Sequence, residues 1–526
     1  MVLELKKVFI SDEVDPRCVE VLKESGIEVV KDTKLRTDKE KFLAEISKYD
    51  GLIVRSATKV TADVINAATN LKIIGRAGTG VDNIDCEAAT KRGIIVMNTP
   101  GGNTLSAAEH TCALMCCLSR DIPNAVATMR AGTWDRKSFM GSELYGKTLA
   151  IIGLGRIGKE VALRMQSFGM TTIGYDPIIP GSVSSQFNTE WMELEQIWPK
   201  ADYITVHTPL IPQTRNLINE GVFAKCKKGV KVVNCARGGI IDEAALLKAL
   251  DAGQCGGAGL DVYVNEPPDD YTLAKHPKVI ATPHLGASTV EAQKRVAVEI
   301  AEQFVDVMHG RSLFGAINAQ AMHNALSADT QPWVDLGRCL GTILASLGAN
   351  PKKGISISSV GAGLKDAGSY LGASVLSGLL SVEGGAGDAA LNLVSAPAVA
   401  KQQGIQVESK YESTKGSQLV SVSADGRTVT GTTSGGQPLL ISINGAQFST
   451  PAVLSGSVLL FQAKSDPKLV STVAGALSDN GASVTGFSVT VDSKGSQWGI
   501  VYLPSPPPNG LFNISKTVQS AVELEF

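Results

Sequence analysis

Thr148-Leu149-Ala150-Ile151-Ile152 runs directly into Gly153-Leu154-Gly155-Arg156-Ile157-Gly158. A short apolar run closed by three glycines reads as a buried strand turning sharply into a helix. The residues beyond keep that order. Ile157, Val161, Met165 and Phe168 recur at three- and four-residue spacing on one helix face, 171–175 reads as a second strand, and Asp176 closes it. A glycine triplet alone is a weak signal, but strand, glycines, helix, strand and acid in succession form a dinucleotide-binding fingerprint. Gly153 permits the tight turn, Gly155 lets backbone approach a pyrophosphate, and Gly158 lets helix and sheet pack closely. The helix N-terminus offers unpaired N–H groups to the phosphates. Asp176 can accept hydrogen bonds from ribose hydroxyls and repels a 2′-phosphate, which points to NAD. Its competing reading is a turn-forming Asp before Pro177.

Outward from this motif the chain alternates in the same way. Residues 8–10, 28–30, 51–54, 72–74 and 94–97 read as strands, with helices at 17–23, 39–48 and 61–67 between them. The pattern breaks at Pro100-Gly101-Gly102-Asn103 into a long helix over 106–118, and a second alternating unit runs from 149 to 282. A helix spans 288–309. Beyond Ala316, Ala, Gly and Ser dominate, and the stretch 418–444 alternates around Asp425-Gly426 and Gly435-Gly436, which predicts hairpins. A last unit reads strand 458–463, helix 469–480, strands 483–490 and 498–502, helix 514–522 and a short end, a ferredoxin-like succession. The fold class is α/β: two doubly wound parallel-sheet domains, then an α+β extension ending in a ferredoxin-like module. The expected borders are 1–100 completed by 288–310 for substrate, 101–287 for nucleotide, 311–452 for a middle domain, and 453–526 for a regulatory module.

With 526 residues, 44% of them hydrophobic, the chain can bury several cores. Its formal net charge of −2, with no basic run, argues against nucleic acid. No run of about 20 apolar residues and no secretory signal stands out, so no membrane partner is expected. Nine cysteines without framework spacing imply reduced thiols in the cytoplasm. Cys112, Cys116 and Cys117 share a helical stretch but read as small core residues, and no metal is expected.

Three ionisable residues fall on loops after predicted strands: Arg237 after 231–235, Glu266 beyond 259–262, and His284 after 279–282. In doubly wound sheets the carboxyl ends of strands line the ligand crevice. Oxidising a hydroxy acid needs a base for the hydroxyl proton and a cation for the carboxylate. His284 suits the base, because imidazole titrates near neutral pH. Glu266 can fix its tautomer, and Arg237 offers a planar fork to carboxylate and carbonyl oxygens. Singly these residues also read as a cap, a turn border and a surface ion-pair partner. After a dinucleotide fingerprint their combination points to catalysis.

The runs His207-Thr208-Pro209-Leu210, Asn234-Cys235-Ala236-Arg237-Gly238-Gly239 and Thr282-Pro283-His284-Leu285-Gly286, with Asp261-Val262 and Glu266-Pro267, resemble the D-2-hydroxyacid dehydrogenases. The stretch from Gly75-Arg76-Ala77-Gly78-Thr79 to Asp85 is similar to the branch acting on 3-phospho-D-glycerate. The resemblance implies NAD-dependent oxidation of that phosphorylated hydroxy acid to 3-phosphohydroxypyruvate, the first step of L-serine biosynthesis, in a cleft between substrate and nucleotide domains. It implies cofactor contacts at Thr79, Gly153, Gly155, Arg156, Ile157, Gly158, Asp176, Thr208, Cys235, Ala236, Arg237, Asp261, His284, Leu285, Gly286 and Ala287. Substrate contacts are expected at Arg55 and Arg76, which end strands, at Asn103, and at Arg136, a candidate for reaching a neighbouring subunit of a homodimer or homotetramer. Two alternatives remain: a non-catalytic NAD-sensing corepressor on the same scaffold, and a glyoxylate or hydroxypyruvate reductase, whose use of NADPH Asp176 disfavours.

Overall fold

The computed structural model describes residues 3–526 apart from 324, 326, 328, 383–390, 415, 493–494 and 506–517. The chain divides into two compact units, one of Met1–Asn98 with Ile300–Phe526 and one of Thr99–Glu299.

The first sheet joins β1 (Lys7–Ile10), β2 (Glu28–Lys31), β3 (Gly51–Val54), β4 (Ile73–Arg76) and β5 (Ile95–Asn98), all parallel, in the order β2-β1-β3-β4-β5. Central β3 is buried along its whole length, so it reads as an unbroken apolar run rather than an alternating one. The helix Cys86–Lys91 escaped the periodicity reading because six residues show less than two turns; Asp85 caps it by accepting the Ala88 N–H at 2.9 Å. Gly51 and Gly75 make room for the end of the helix Val290–Met308. A Cβ on Gly75 would stand 2.5 Å from the Phe304 ring and 2.7 Å from Ile300.

The second unit is built on β6 (Thr148–Ile152), β7 (Thr171–Tyr175), β8 (Glu190–Trp191), β9 (Tyr203–Val206), β10 (Val230–Asn234), β11 (Cys255–Leu260) and β12 (Val279–Ala281). Their order, β12-β11-β10-β9-β6-β7-β8, reverses between β6 and β9, where a doubly wound sheet opens its crevice. Phe168 departs from expectation. The helix Arg156–Gln166 ends before it, and its ring is 51% exposed rather than buried.

In the C-terminal half, β13 (Ile355–Val360), β14 (Val407–Glu412), β15 (Leu419–Ala424), β16 (Arg427–Ser434), β17 (Gln437–Ile443) and β18 (Ala446–Val453) form one sheet ordered β14-β13-β15-β16-β17-β18. Asp425-Gly426 and Gly435-Gly436 make the expected two-residue hairpins, and Asn444-Gly445 makes a third. All six of these residues have positive φ, the type I′ geometry that matches strand twist. The last sheet holds β19 (Ser457–Lys464), β20 (Gly486–Val491), β21 (Ser496–Leu503) and β22 (Val518–Glu525) in the order β20-β21-β19-β22, every pair antiparallel. Insertion of β21 between β19 and β20 gives the split arrangement of a ferredoxin-like module. The helix expected over 514–522 is corrected in part: 514–517 lie outside the described residues, and 518–522 belong to β22. So short an apolar run has no decisive period, and the free edge of β19 supplies the partner that makes it a strand. Among the described residues no helix is long and apolar enough to cross a membrane.

Candidate active site

Gly153 turns the chain out of β6 at φ +100, and a Cβ there would stand 2.6 Å from the His207 carbonyl oxygen. A Cβ on Gly158 would collide with the Gly153 carbonyl, so a bare Cα lets the helix Arg156–Gln166 settle on its strand. Gly155 differs. Its backbone is ordinary, at φ −67 and ψ −161, and nothing lies within 4 Å of its absent Cβ. The protein's own packing does not require glycine there, whereas a pyrophosphate laid against the helix N-terminus does. Thr208 Oγ1 is buried without a hydrogen-bond partner among the described residues, as suits a group that meets a ligand.

Asp176 combines both of its readings. One carboxylate oxygen accepts the Leu154 N–H of the glycine loop at 2.8 Å, and the other accepts Ile178 and Ile179 N–H at 2.8 and 3.0 Å. It organises its turn and places negative charge beside the glycines. Arg156 donates to the Pro100 carbonyl at 3.2 Å, and Ile157 packs on the core beneath. His207 donates no charge here: burial pushes its pKa down to about 3, and Nε2 lies 3.0 Å from Thr205 Oγ1. These features fit NAD.

Three loops meet at the carboxyl ends of the adjacent strands β10, β11 and β12. Asn234 closes the first turn, donating to the Arg237 carbonyl at 2.8 Å and accepting the Ala236 N–H at 3.0 Å. A Cβ on Gly238 would collide with the Tyr263 carbonyl, so this glycine lets the Arg237 turn lie against the loop after β11. Arg237 itself donates to the Ala236 carbonyl at 2.6 Å. In the second loop Glu266 accepts the Tyr263 N–H at 3.1 Å and meets His284 Nδ1 at 2.6 Å. That bond leaves Nε2 for a substrate on a side chain 47% exposed. Burial pushes the Glu266 carboxyl up, but the hydrogen bond and charge of His284, the Tyr263 N–H and nearby Arg237 outweigh it. The net pKa lies below the ordinary carboxylate value. His284 occupies the left-handed region at φ +55, uncommon without glycine, and its N–H donates to the Asp261 and Thr282 carbonyls at 2.9 and 3.1 Å.

Asp261 is wholly buried. Its carboxylate accepts the Thr282 hydroxyl at 2.6 Å and the Leu285 and Gly286 N–H groups at 2.7 and 2.8 Å, so it ties down the loop that carries His284. His110 Nε2 lies 3.2 Å from the same carboxylate; nothing in its helical sequence context signalled this role. Burial pushes Asp261 up, and these four donors more than reverse it, leaving it below the ordinary value. His110, Cys235 and Asp261 hold ligand-type atoms within 4.8 Å of one another. Burial pushes the Cys235 thiol up to about 12, so it stands as a protonated thiol beside the hydrogen-bonded His110–Asp261 pair.

In the other unit, Val54 pairs with Arg76, which places Arg55 and Arg76 at neighbouring strand ends. The Arg76 guanidinium lies over Gly78, where a Cβ would strike it, and the Thr79 carbonyl accepts from Asn98 Nδ2 at 2.5 Å. Asn103 starts the helix Thr104–Arg120. Arg136 stands exposed near Trp134, itself 77% exposed, and no contact among the described residues ties it to a site.

The chain matches the model of the D-isomer specific 2-hydroxyacid dehydrogenase NAD binding domain over residues 112–286 and that of the D-3-phosphoglycerate dehydrogenase intervening domain over 329–444. It is 50% identical over 516 residues to a human protein named D-3-phosphoglycerate dehydrogenase, covering 96% of each chain. A Bacillus subtilis protein of the same name is 40% identical over 499 residues, 93% of each. Among solved structures, the D-lactate dehydrogenase of Aquifex aeolicus, complexed with NAD and lactic acid, superposes with a TM-score of 0.53 at 26% identity, over 59% of this chain and 99% of that one. With glycine cradle, histidine–glutamate pair and near full-length likeness in agreement, the chain belongs to the D-3-phosphoglycerate dehydrogenases of the D-isomer specific 2-hydroxyacid dehydrogenase family.

Proposed function

We propose that the protein oxidises 3-phospho-D-glycerate to 3-phosphohydroxypyruvate with NAD, the first step of L-serine biosynthesis. The observation that carries this reading is the Glu266–His284 pair at 2.6 Å beside Arg237, at the strand ends of a dinucleotide-binding sheet. Arg237 holds the substrate carboxylate. His284 Nε2 takes the hydroxyl proton, and the ionised Glu266 stabilises the imidazolium that forms. NAD, held by the Gly153–Gly158 cradle and Asp176, would supply the acceptor for the hydride of the same carbon. The O–H bond gives its proton to His284 and keeps its electron pair on oxygen, the C–H bond breaks with its pair on the departing hydrogen, and a ketone remains.

The cofactor contacts in this proposal are those implied by the sequence, from Thr79 through Ala287, with Arg55, Arg76, Asn103 and Arg136 serving the substrate. The substrate domain is residues 1–100 with 288–310, the nucleotide domain 101–287, the middle domain 311–452 and the regulatory module 453–526. A cytoplasmic homodimer or homotetramer completes the reading. Following NADH formation with 3-phosphoglycerate beside a panel of unphosphorylated hydroxy acids tests it; NADH binding without turnover on any of them would favour the corepressor alternative.

Cofactor choice is a second expectation. NAD is preferred over NADP because Asp176 opposes an added phosphate, and Asp176→Ala narrows the gap. Equal use of both cofactors by the unaltered enzyme would defeat this assignment. A third concerns the C-terminal module, which assembles or tunes the protein without strong serine inhibition. The loop after β19 has no His or Asn to bind a zwitterion, Asp466 accepts the Lys468 N–H at 2.8 Å, and Asn480 donates to the Ala476 carbonyl at 2.8 Å. A buried zwitterion without matched partners is costly. Titration with L-serine decides it: inhibition at micromolar levels, lost on truncation near residue 315, contradicts the expectation.

A further inference from the structure

We propose that Asn83 is a positioning residue for the substrate's anionic group, holding with Asp12 the loop 55–58 that presents Arg55. The proposal rests on the reading of Arg55 as a substrate contact and assigns what keeps that arginine in place.

The four backbone groups at the two ends of this loop are held by only two side chains. Asp12 follows β1 and is 2% exposed; one of its carboxylate oxygens accepts the Arg55 N–H at 2.6 Å and the Thr58 N–H at 3.2 Å. Asn83 spends its two amide hydrogens on the two carbonyls, donating to Arg55 at 2.7 Å and Thr58 at 2.6 Å. In an ordinary four-residue turn the first carbonyl accepts the fourth N–H, and the loop closes on itself. Here both groups are taken by outside partners, so the loop is held open. Further bonds brace the clamp. The Asn83 carbonyl accepts the Val60 N–H at 2.8 Å, and Ser11 and Thr58 join hydroxyls at 2.8 Å.

Between the clamps, Ser56 and Ala57 are exposed, and Arg55 leads into them from the end of β3. Arg55 donates through Nη1 to the Glu13 carbonyl at 3.2 Å, but its Nε is buried without a hydrogen-bond partner among the described residues. A buried guanidinium N–H left over in this way is a donor awaiting an acceptor, and a phosphate or carboxylate supplies one. Asn is suited to the task because its carboxamide has two hydrogens aimed at two oxygens. Aspartate, of the same shape, has none and would set negative charge against both carbonyls.

Asn83→Ala, Asn83→Asp, Arg55→Ala and the double change Asn83→Ala/Arg55→Ala, all in the full chain, test the assignment. A reactive group misplaced by about 1 Å can cost about a hundredfold. Asn83→Ala and Asn83→Asp are expected to raise KM for 3-phosphoglycerate about tenfold, with KM for NAD and the NADH affinity within about twofold of the parent. The double variant is expected to lose no more than Arg55→Ala alone, because the clamp acts through that arginine. If either Asn83 variant fails to fold, the other carries the measurement. A KM for 3-phosphoglycerate within twofold of the parent in a folded Asn83 variant would overturn the proposal, as would losses that simply add in the double variant. An unchanged Arg55→Ala would instead remove the reading beneath it, and the proposal with it.

Discussion

An alanine at position 284 is expected to cut turnover by about two to four orders of magnitude, the usual contribution of a general base. NADH should still bind, because the glycine cradle and Asp176 lie on other loops of the sheet. The size of the effect follows from the absence of a substitute: Glu266 is the carboxylate nearest to hand, yet its bond to Nδ1 at 2.6 Å directs it at the imidazole rather than the substrate. The pH dependence has a definite sign. Glu266 titrates below the ordinary carboxylate value, so it stays charged as acid is added through the range where imidazoles protonate. Oxidation therefore weakens when His284 takes a proton and can no longer accept one, and the acid limb should vanish with His284→Ala. Steady-state rates across pH, with NADH binding followed by fluorescence, check both points. Near-normal turnover by the alanine variant would refute the base assignment.

Arg55→Ala and Arg76→Ala are expected to cost 3-phosphoglycerate far more than an unphosphorylated hydroxy acid. Truncating one partner of a desolvated charged pair typically costs ~2–5 kcal/mol. The pairing of Val54 with Arg76 puts the two cations at neighbouring strand ends, where one anion can meet both. Burial pushes the Arg55 guanidinium down and the Asp12 charge opposes that, with the net effect a lowered pKa. Arginine starts so high that it keeps its charge at any working pH. The comparison is of kcat/KM on the two substrates for each variant. Equal losses on both would make the arginines structural.

Much of the nucleotide unit was legible because its signals are local. Gly153, Gly155 and Gly158 announce a turn, an open approach and a tight helix contact within six residues, and each glycine has the surroundings its role demands. The hairpins at Asp425-Gly426 and Gly435-Gly436 were legible for the same reason, since two residues at positive φ specify the turn. Residues 518–522 were not, because whether a short apolar run coils or extends depends on a strand edge some sixty residues earlier in the chain.

Sequence by itself determined the α/β class, the NAD fingerprint, and the placing of Arg237, Glu266 and His284 on loops after strands. Only the tertiary structure decided that these loops meet, because the adjacency of β10, β11 and β12 is a property of sheet order and not of spacing. It also decided that a non-glycine residue sits at φ +55, held by carbonyls and N–H groups around the buried Asp261. Asp12 and Asn83 show the limit most plainly. They lie 43 and 28 residues from Arg55 in the chain, each in an unremarked polar setting, and acquire a role only where the fold brings both side chains to bridge the two ends of one four-residue loop. Hydrogen bonds are short-ranged and directional, so which distant polar groups satisfy each other is settled by packing, after the local signals have done their part.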